Sequence, residues 1–250
     1  MKKTIASILL VLMSLQCLAL ACFSGINLFS TTFTVSGRTS ASFDGQTDND
    51  LYFESEGYPV ADLASSKVDS YTANAQSDSW LGKAGDLDNI SAQPNAWAFQ
   101  TSAFAENFTD DTGGTSSALS FGRANSYFSP KNKSLNLSFD LRTASGASSL
   151  ALNDITTNNR LYSCNLTGPD QPGEMMIFSD SLTLDVFPEH VYRLNLSSQS
   201  LEQKFDTSGF AWTRAAISCV NPVIPAPAAT ILTTIGLALI PYLRFRKMSA

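Results

Sequence analysis

Ser134-Leu135-Asn136-Leu137-Ser138-Phe139-Asp140-Leu141-Arg142 alternates polar and apolar side chains without a break. Successive side chains of an extended strand point to opposite faces, so Leu135, Leu137, Phe139 and Leu141 form one apolar face and the polar residues form the other. A strand of this kind is half-buried and needs a second layer to cover its apolar side. The same alternation recurs in Leu182-Thr183-Leu184-Asp185-Val186 and in Tyr192-Arg193-Leu194-Asn195-Leu196-Ser197. Pro188-Glu189-His190 lies between these two runs and predicts a turn, so they read as an antiparallel hairpin.

Working outward, further strands are expected over Leu28–Val35, Thr39–Phe43, Leu51–Glu54, Ala96–Thr101, Ala118–Phe121, Ser149–Leu152, Met175–Phe178 and Phe210–Ser218. Gly, Asn, Asp and Ser clusters separate them. The expected fold class is therefore all-β, an antiparallel β-sandwich or jelly roll. Ala61–Ala75 is the one stretch of this region that reads as a short helix.

The chain has 250 residues, with 16 Lys+Arg against 22 Asp+Glu, a single His and a net charge of -6. Hydrophobic residues make up 44%, enough to build a core and to argue against wholesale disorder. The negative balance argues against a nucleic-acid partner held by phosphate contacts. One His excludes His-rich metal sites. The charge is also unevenly spread, because Lys2, Lys3, Arg244, Arg246 and Lys247 sit at the two ends, where no acidic residue stands. The middle is thus more acidic than the average.

Those ends read as targeting segments. Lys2 and Lys3 precede the apolar run Ile5–Leu20, which closes on Ala19-Leu20-Ala21, the order of a secretory signal peptide with a small-residue cleavage site before Cys22. Residues 1–21 are assigned to that signal, with Ala19, Ala21 and Cys22 framing the signal peptidase site. Cleavage before a lipid-modified Cys22 is the alternative, although Ala19 stands where a lipobox carries Leu. At the other end Pro222, Pro225 and Pro227 precede the uncharged run 228–243, and Arg244, Arg246 and Lys247 follow it. At about 1.5 Å per residue a helix over this run reaches about 24 Å, against about 30 Å of membrane hydrocarbon. It reads as a short transmembrane helix, with the basic residues as a cytoplasmic stop-transfer signal. The middle, residues 22–221, is then an acidic β-sandwich ectodomain outside the cytoplasm.

Ile224-Pro225-Ala226-Pro227, the apolar run and the closing basic cluster together resemble the PEP-CTERM sorting signal. The resemblance covers about the last 30 residues, 222–250, divided into a Pro-rich motif (222–227), a helix (228–243) and a basic tail (244–250). Ala226 stands where the family's motif carries Glu. The resemblance implies an exported bacterial envelope or extracellular-matrix protein that is sorted and anchored by an exosortase, with Pro225, Ala226 and Pro227 as the processing motif. Export machinery, a signal peptidase and an exosortase-like enzyme are the implied partners. A proline-stiffened, extended junction suits cleavage, because its backbone is not already hydrogen-bonded in a helix. A permanently anchored type I membrane protein is the alternative.

Four features of the middle region invite a chemical reading. If Cys17 leaves with the signal peptide, Cys164 and Cys219 are expected to form a disulfide. Closing a loop of about 54 residues would contribute roughly 4 kcal/mol in the chain-entropy account, and two separate buried thiols are the alternative. Asp44, Asp48 and Asp50 lie in Asp44-Gly45-Gln46-Thr47-Asp48-Asn49-Asp50 and are weak calcium candidates, since the segment lacks the EF-hand spacing and Asp, Asn and Gly also make ordinary turns. His190 is read as a solvated turn residue, for no nucleophile motif accompanies it. No catalytic residues and no cofactor beyond that calcium are assigned. Tyr71, Trp80, Trp97, Phe99, Phe104 and Tyr127 are candidates for a sugar-stacking face, with core packing as the competing explanation. The expected function is structural or adhesive at the cell surface or in the matrix, with polysaccharide as a candidate partner. A surface-tethered carbohydrate-active enzyme on a jelly roll is the other class of reading.

Overall fold

The computed structural model of the chain describes residues 25–57, 61–68, 71–83, 96–108, 114–168, 174–202 and 207–219. Within them lie twelve strands: β1 (Ile26–Phe43), β2 (Gln46–Glu56), β3 (Ala61–Val68), β4 (Tyr71–Lys83), β5 (Trp97–Phe108), β6 (Thr115–Pro130), β7 (Ser134–Thr143), β8 (Ala147–Asp154), β9 (Asn159–Thr167), β10 (Met176–Asp185), β11 (Tyr192–Glu202) and β12 (Thr207–Cys219). The chain divides between Cys219 and Val220 into two units, and all of these strands belong to the first. The signal peptidase site at Ala19, Ala21 and Cys22, the motif Pro225-Ala226-Pro227, the helix over 228–243 and the basic residues Arg244, Arg246 and Lys247 lie outside the described residues.

Two six-stranded antiparallel sheets result. Sheet I has the order β2-β1-β6-β11-β8-β9, and sheet II the order β10-β7-β12-β5-β4-β3. Strands β5 to β12 pair from the outside inwards, β5 with β12, β6 with β11, β7 with β10 and β8 with β9. That nesting is the jelly roll, with β1–β2 and β3–β4 added as a hairpin on one side of each sheet. The sandwich expected from alternation is present. Asp44 and Gly45, both at positive φ, make the two-residue turn between β1 and β2. Such a turn suits the right-handed twist of its strands.

Two expectations are corrected. The described part of 61–75 is strand rather than helix: 61–68 form β3 and 71–75 the start of β4, where Tyr71, Ala73, Ala75 and Ser77 alternate inward along an edge hairpin. Small residues there suit either state by propensity, and pairing with β5 decides the matter. The runs 182–186 and 192–197 also do not form a hairpin. Strand β10 pairs with β7 in sheet II, whereas β11 pairs with β6 and β8 in sheet I. The two runs therefore feed the core from different sheets instead of lying side by side, because the turn at Pro188 carries the chain from one sheet to the other.

On β6 and β11 the inward side chains pass from large to small along the strand, with Glu202 at the end of β11 the exception. On β11 they run Tyr192, Leu194, Leu196, Ser198, Ser200, Glu202; on β6, read in the opposite direction, Phe128, Ser126, Ala124, Gly122, Ser120, Ala118. One half of the sandwich is filled by leucines and aromatics, among them Leu135, Leu137, Leu150, Leu152 and Phe99, all buried. In the other half the facing strands β5 and β6, β4 and β6, and β5 and β11 bring Cα atoms within 8 Å of each other. Typical stacked sheets lie about 10 Å apart. A side chain on Gly122 would strike the Ser102 carbonyl oxygen of the facing sheet at 2.8 Å, so the absence of one permits the approach.

Hydroxyls join the sheets directly at this narrow end. Ser198 Oγ lies 2.9 Å from both the hydroxyl and the carbonyl oxygen of Thr101, and 3.1 Å from Thr213 Oγ1. Thr213 donates in turn to the Ser197 carbonyl at 2.8 Å, and Ser120 donates to the Gln76 carbonyl. Tyr52 Oη reaches Ser77 Oγ at 2.6 Å. These groups are cut off from water and satisfy each other.

The two halves should answer differently to substitution. Leu194→Ala in the thick half is expected to cost about 2–5 kcal/mol by leaving a cavity. Ser198→Val, although more apolar, is expected to cost about 1–3 kcal/mol by overpacking and by leaving Thr101 and Thr213 short of a partner. Urea denaturation of the two variants measures both; a neutral or stabilising Ser198→Val would contradict the hydroxyl clasp.

Candidate functional site

The outer face of sheet II carries the densest group of aromatic and charged side chains. Alternation places Trp80 of β4, Gln100 of β5, Arg214 of β12, Asp140 of β7 and Ser179 of β10 on that face. Register then sets them directly opposite one another in a single row across five strands. The neighbouring row is Asp78, Ser102, Trp212, Arg142 and Ile177, and beside it stand Phe104 and Phe210 as a cross-strand pair.

The charged members are tied down. Asp140 is fully buried, and its carboxylate accepts from Arg142 Nε at 3.0 and 3.2 Å and from Ser179 Oγ at 2.7 Å. Arg214 Nε donates to Gln100 Oε1 at 2.7 Å. The guanidinium carbons of Arg142 and Arg214 stand 4.8 and 4.1 Å from the Trp212 ring centre, so cation–π attraction clamps that indole. Phe210 meets Trp212 edge to face at 6.1 Å. Charge-assisted and planar contacts of this kind fix orientation as well as adding energy.

Trp80 is held differently. A third row, Gly82, Ala98 and Ala216, crosses β4, β5 and β12 beside it. Trp80 packs on Ala98 and Ala216, both buried beneath it, and a side chain on Gly82 would collide with the benzo edge of the indole. The ring therefore lies over a floor of small residues instead of standing upright. In the row between Trp80 and Phe104, Asp78 Oδ1 and Trp212 Nε1 are an acceptor and a donor without a hydrogen-bond partner among the described residues.

Of the aromatics singled out from sequence, Trp80 and Phe104 reach this face. Tyr71 and Phe99 are fully buried, and Trp97 packs against the core, so core packing accounts for these three. Tyr127 faces outward on sheet I, opposite Arg193. Arg142, Arg214, Asp140, Trp212 and Phe210 were not legible as a site. Their outward alternation within β7 and β12 was the available signal, but their alignment needed the register of strands about 70 residues apart.

The other predicted residues have structural roles. Asp48 and Asp50 point inward from the edge strand β2, where their carboxylates accept the backbone amides of Lys67 at 2.8 Å and Ser65 at 3.0 Å. They cap the free edge of β3, and Asp44 sits in the turn. Strand β2 begins at Gln46, so the seven residues read as a calcium-type loop are mostly extended. The expected disulfide is not formed: Cys164 and Cys219 are free thiols. They occupy different sheets, Cys164 opposite Leu150 on β9 and Cys219 at the end of β12, where its Sγ donates to the Gly25 carbonyl at 2.8 Å. Burial pushes both thiols up, amides near Asn132 and Lys131 partly opposing this at Cys219, so neither is primed as a nucleophile.

His190 is more than a solvated turn residue. Its Nδ1 lies 2.6 Å from Asp154 Oδ2, and its ring stacks against Phe187 and Tyr192. Asp154 also accepts the amides of Thr156 and Thr157. Burial alone would raise the Asp154 pKa, but the hydrogen bonds from His190 and Thr157 outweigh it and hold the carboxyl below its usual range. The pair fastens the β10–β11 loop to the β8–β9 turn, alongside the Ile155 amide on the Val191 carbonyl at 2.8 Å.

No family model and no curated protein matches the chain. Among solved structures it is similar to TmCBM61 in complex with β-1,4-galactotriose at 10% identity, covering 64% of this chain and 88% of that one, with a TM-score of 0.29. A structure described as CBM4 is 11% identical, covering 57% of this chain and 87% of that one at a TM-score of 0.25. The enzymatically active domain of bacteriophage CBA120 tailspike protein 4 is 10% identical, covering 64% of this chain but 19% of that one, at a TM-score of 0.28. Similarity of this degree does not bear on ligand or activity.

Two outcomes are expected here. Because the Asp154 pKa is lowered on folding, its contribution is present above the ordinary carboxylate value near ~3.9 and is lost as pH falls through the lowered folded value. Thermal melts should thus weaken below about pH 4, and Asp154→Asn should be less stable at pH 7 with a flatter acid limb. Equal acid sensitivity in the variant would refute this. For the thiols, iodoacetamide without reductant should label both Cys164 and Cys219 in the unfolded protein and spare Cys219 in the folded one; a disulfide-linked peptide would restore the crosslink.

Proposed function

We propose that the chain is an exported bacterial cell-surface or extracellular-matrix protein, structural or adhesive rather than catalytic, sorted and anchored through its C-terminal segment. The supporting observation is how the chain is partitioned. Among the described residues the first strand begins at Ile26 and the last ends at Cys219, so the described sandwich lies between the Ala-x-Ala site at 19–21 and the proline segment that starts at 222. A signal peptide, an ectodomain and a tripartite tail follow one another without overlap. The two termini agree on topology, since the basic residues at each end favour the cytoplasmic side. The residues on sheet II favour binding over catalysis. They form a broad face of aromatics and neutralised charges, in which Asp140 is buried and paired rather than free to act as acid or base.

Mass spectrometry of the protein from its own cells, resolving both termini, tests this reading. The expected mature form begins at Cys22 and ends within the segment 225–227. A major surface form that retains Ala250 would defeat sorting by cleavage and leave a permanent single-span anchor. A retained Met1 would defeat export through a cleaved signal.

A further inference from the structure

We infer that the outer face of sheet II is a binding platform for an extended, uncharged polysaccharide, with Trp80 as its stacking surface. The inference names the partner of the adhesive role proposed above and rests on that reading for its biological setting.

Three rows of the face carry the argument. The floor row, Gly82, Ala98 and Ala216, has no side chain larger than a methyl group on three neighbouring strands, and Trp80 lies across it. Packing alone would be served by any large apolar residue filling that space. A horizontal indole, half-exposed beside polar neighbours, presents an apolar plane bordered by hydrogen-bonding groups. A pyranose ring has the complementary form, an apolar C–H face with hydroxyls around its rim.

The row beside Trp80 supplies both kinds of partner. Gln100 and Arg214 bring amide and guanidinium groups, and Arg214 is oriented by Gln100 at 2.7 Å. One row over, Asp78 Oδ1 and Trp212 Nε1 are buried beneath that surface, so the polar contacts open to a ligand come from the Gln100 and Arg214 row. A hydroxyl both donates and accepts, so a sugar can meet an amide as well as a guanidinium.

Charge decides the class of chain. Arg142 is neutralised by the buried Asp140, while Asp78 and Glu106 face outward on the same side. The face therefore pairs cations with at least as many carboxylates and has no surplus positive field to hold a polyanion. Length follows from register: the row from Trp80 to Ser179 crosses four inter-strand gaps of about 4.8 Å, or roughly 19 Å, which suits several linked sugars rather than one.

Affinity electrophoresis of the purified full-length chain in detergent tests the platform, using native gels cast with hydroxyethylcellulose, with β-1,4-galactan or with alginate as the anionic comparison. Retardation is expected in at least one neutral gel. Trp80→Ala should weaken it at least tenfold, and Gly82→Val, which displaces the indole without removing it, should weaken it similarly. Phe53→Ser on the outer face of sheet I should leave it unchanged. Thermal melts of each variant separate loss of binding from loss of fold, and quenching of tryptophan fluorescence by the retarding glycan, reduced in Trp80→Phe, gives a readout that keeps an aromatic ring at position 80. No retardation in either neutral gel, retardation in alginate alone, or equal binding by folded Trp80→Ala would each overturn the inference. Because the measurement uses the unprocessed chain, its failure is distinct from a failure of the sorting proposal, which the termini decide.

Discussion

Ser198 and Thr101 face each other across the narrow half of the sandwich, and their mutual hydrogen bonding sets how closely the two sheets lie. Burial of apolar area tolerates a range of separations, because it is not directional. Hydroxyls that must reach a carbonyl or another hydroxyl at about 2.9 Å do not. Serine, threonine, alanine and glycine at the inward positions of β4, β5, β6 and β12 are therefore a requirement of that distance. The leucines and aromatics of the other half supply the larger share of apolar burial, and together the two halves give a wedge. Tilting one sheet against the other would separate the hydroxyls, so the wedge has one stable angle.

The same economy governs the sheet margins. An unpaired edge strand exposes a row of amides and carbonyls that invites another chain. On the β2–β3 side the inward carboxylates of Asp48 and Asp50 accept two of those amides, so side chains replace the missing strand. On the other side β10 exposes Met176 and Ile177, with Asp180 also on that edge. The broad faces differ as well. Sheet I sets Arg38, Arg123 and Arg193 among serine, threonine and asparagine outside, whereas sheet II concentrates tryptophan and buried carboxylate.

Fold class was legible because alternation is local. Leu135 to Leu141, Leu182 to Val186 and Tyr192 to Leu196 each declare a strand and an inner face within a few residues. Partnership was not, since β10 and β11 are close in sequence yet belong to different sheets, and nothing in Pro188-Glu189-His190 says whether the chain returns beside itself or crosses over. The segment at 61–75 failed for a related reason: its small residues carry little intrinsic preference, and the neighbouring strand decides. The site was legible at Trp80 and Phe104 as aromatics on a strand, but Arg142, Trp212 and Arg214 gain meaning only when β7 and β12 are brought into register. Cys164 and Cys219 were misjudged because flanking strands says nothing about which sheet each strand joins. Asp48 and Asp50 resembled a ligand loop because the oxygen-rich composition that suits a cation also suits a row of edge amides.

The thiol of Cys219 rests on the carbonyl of Gly25, so the sandwich begins and ends at the same pole. Strand β12, which ends there, is an interior strand flanked by β5 and β7, and not a margin. A pull applied along the axis of β12 strains the hydrogen bonds of both flanking ladders together, in shear. An edge strand pulled at its end would instead peel, one bond at a time. The interior position of β12 thus makes the domain mechanically stiff toward a pull along that strand, while sheet II carries its aromatic face on the same strand.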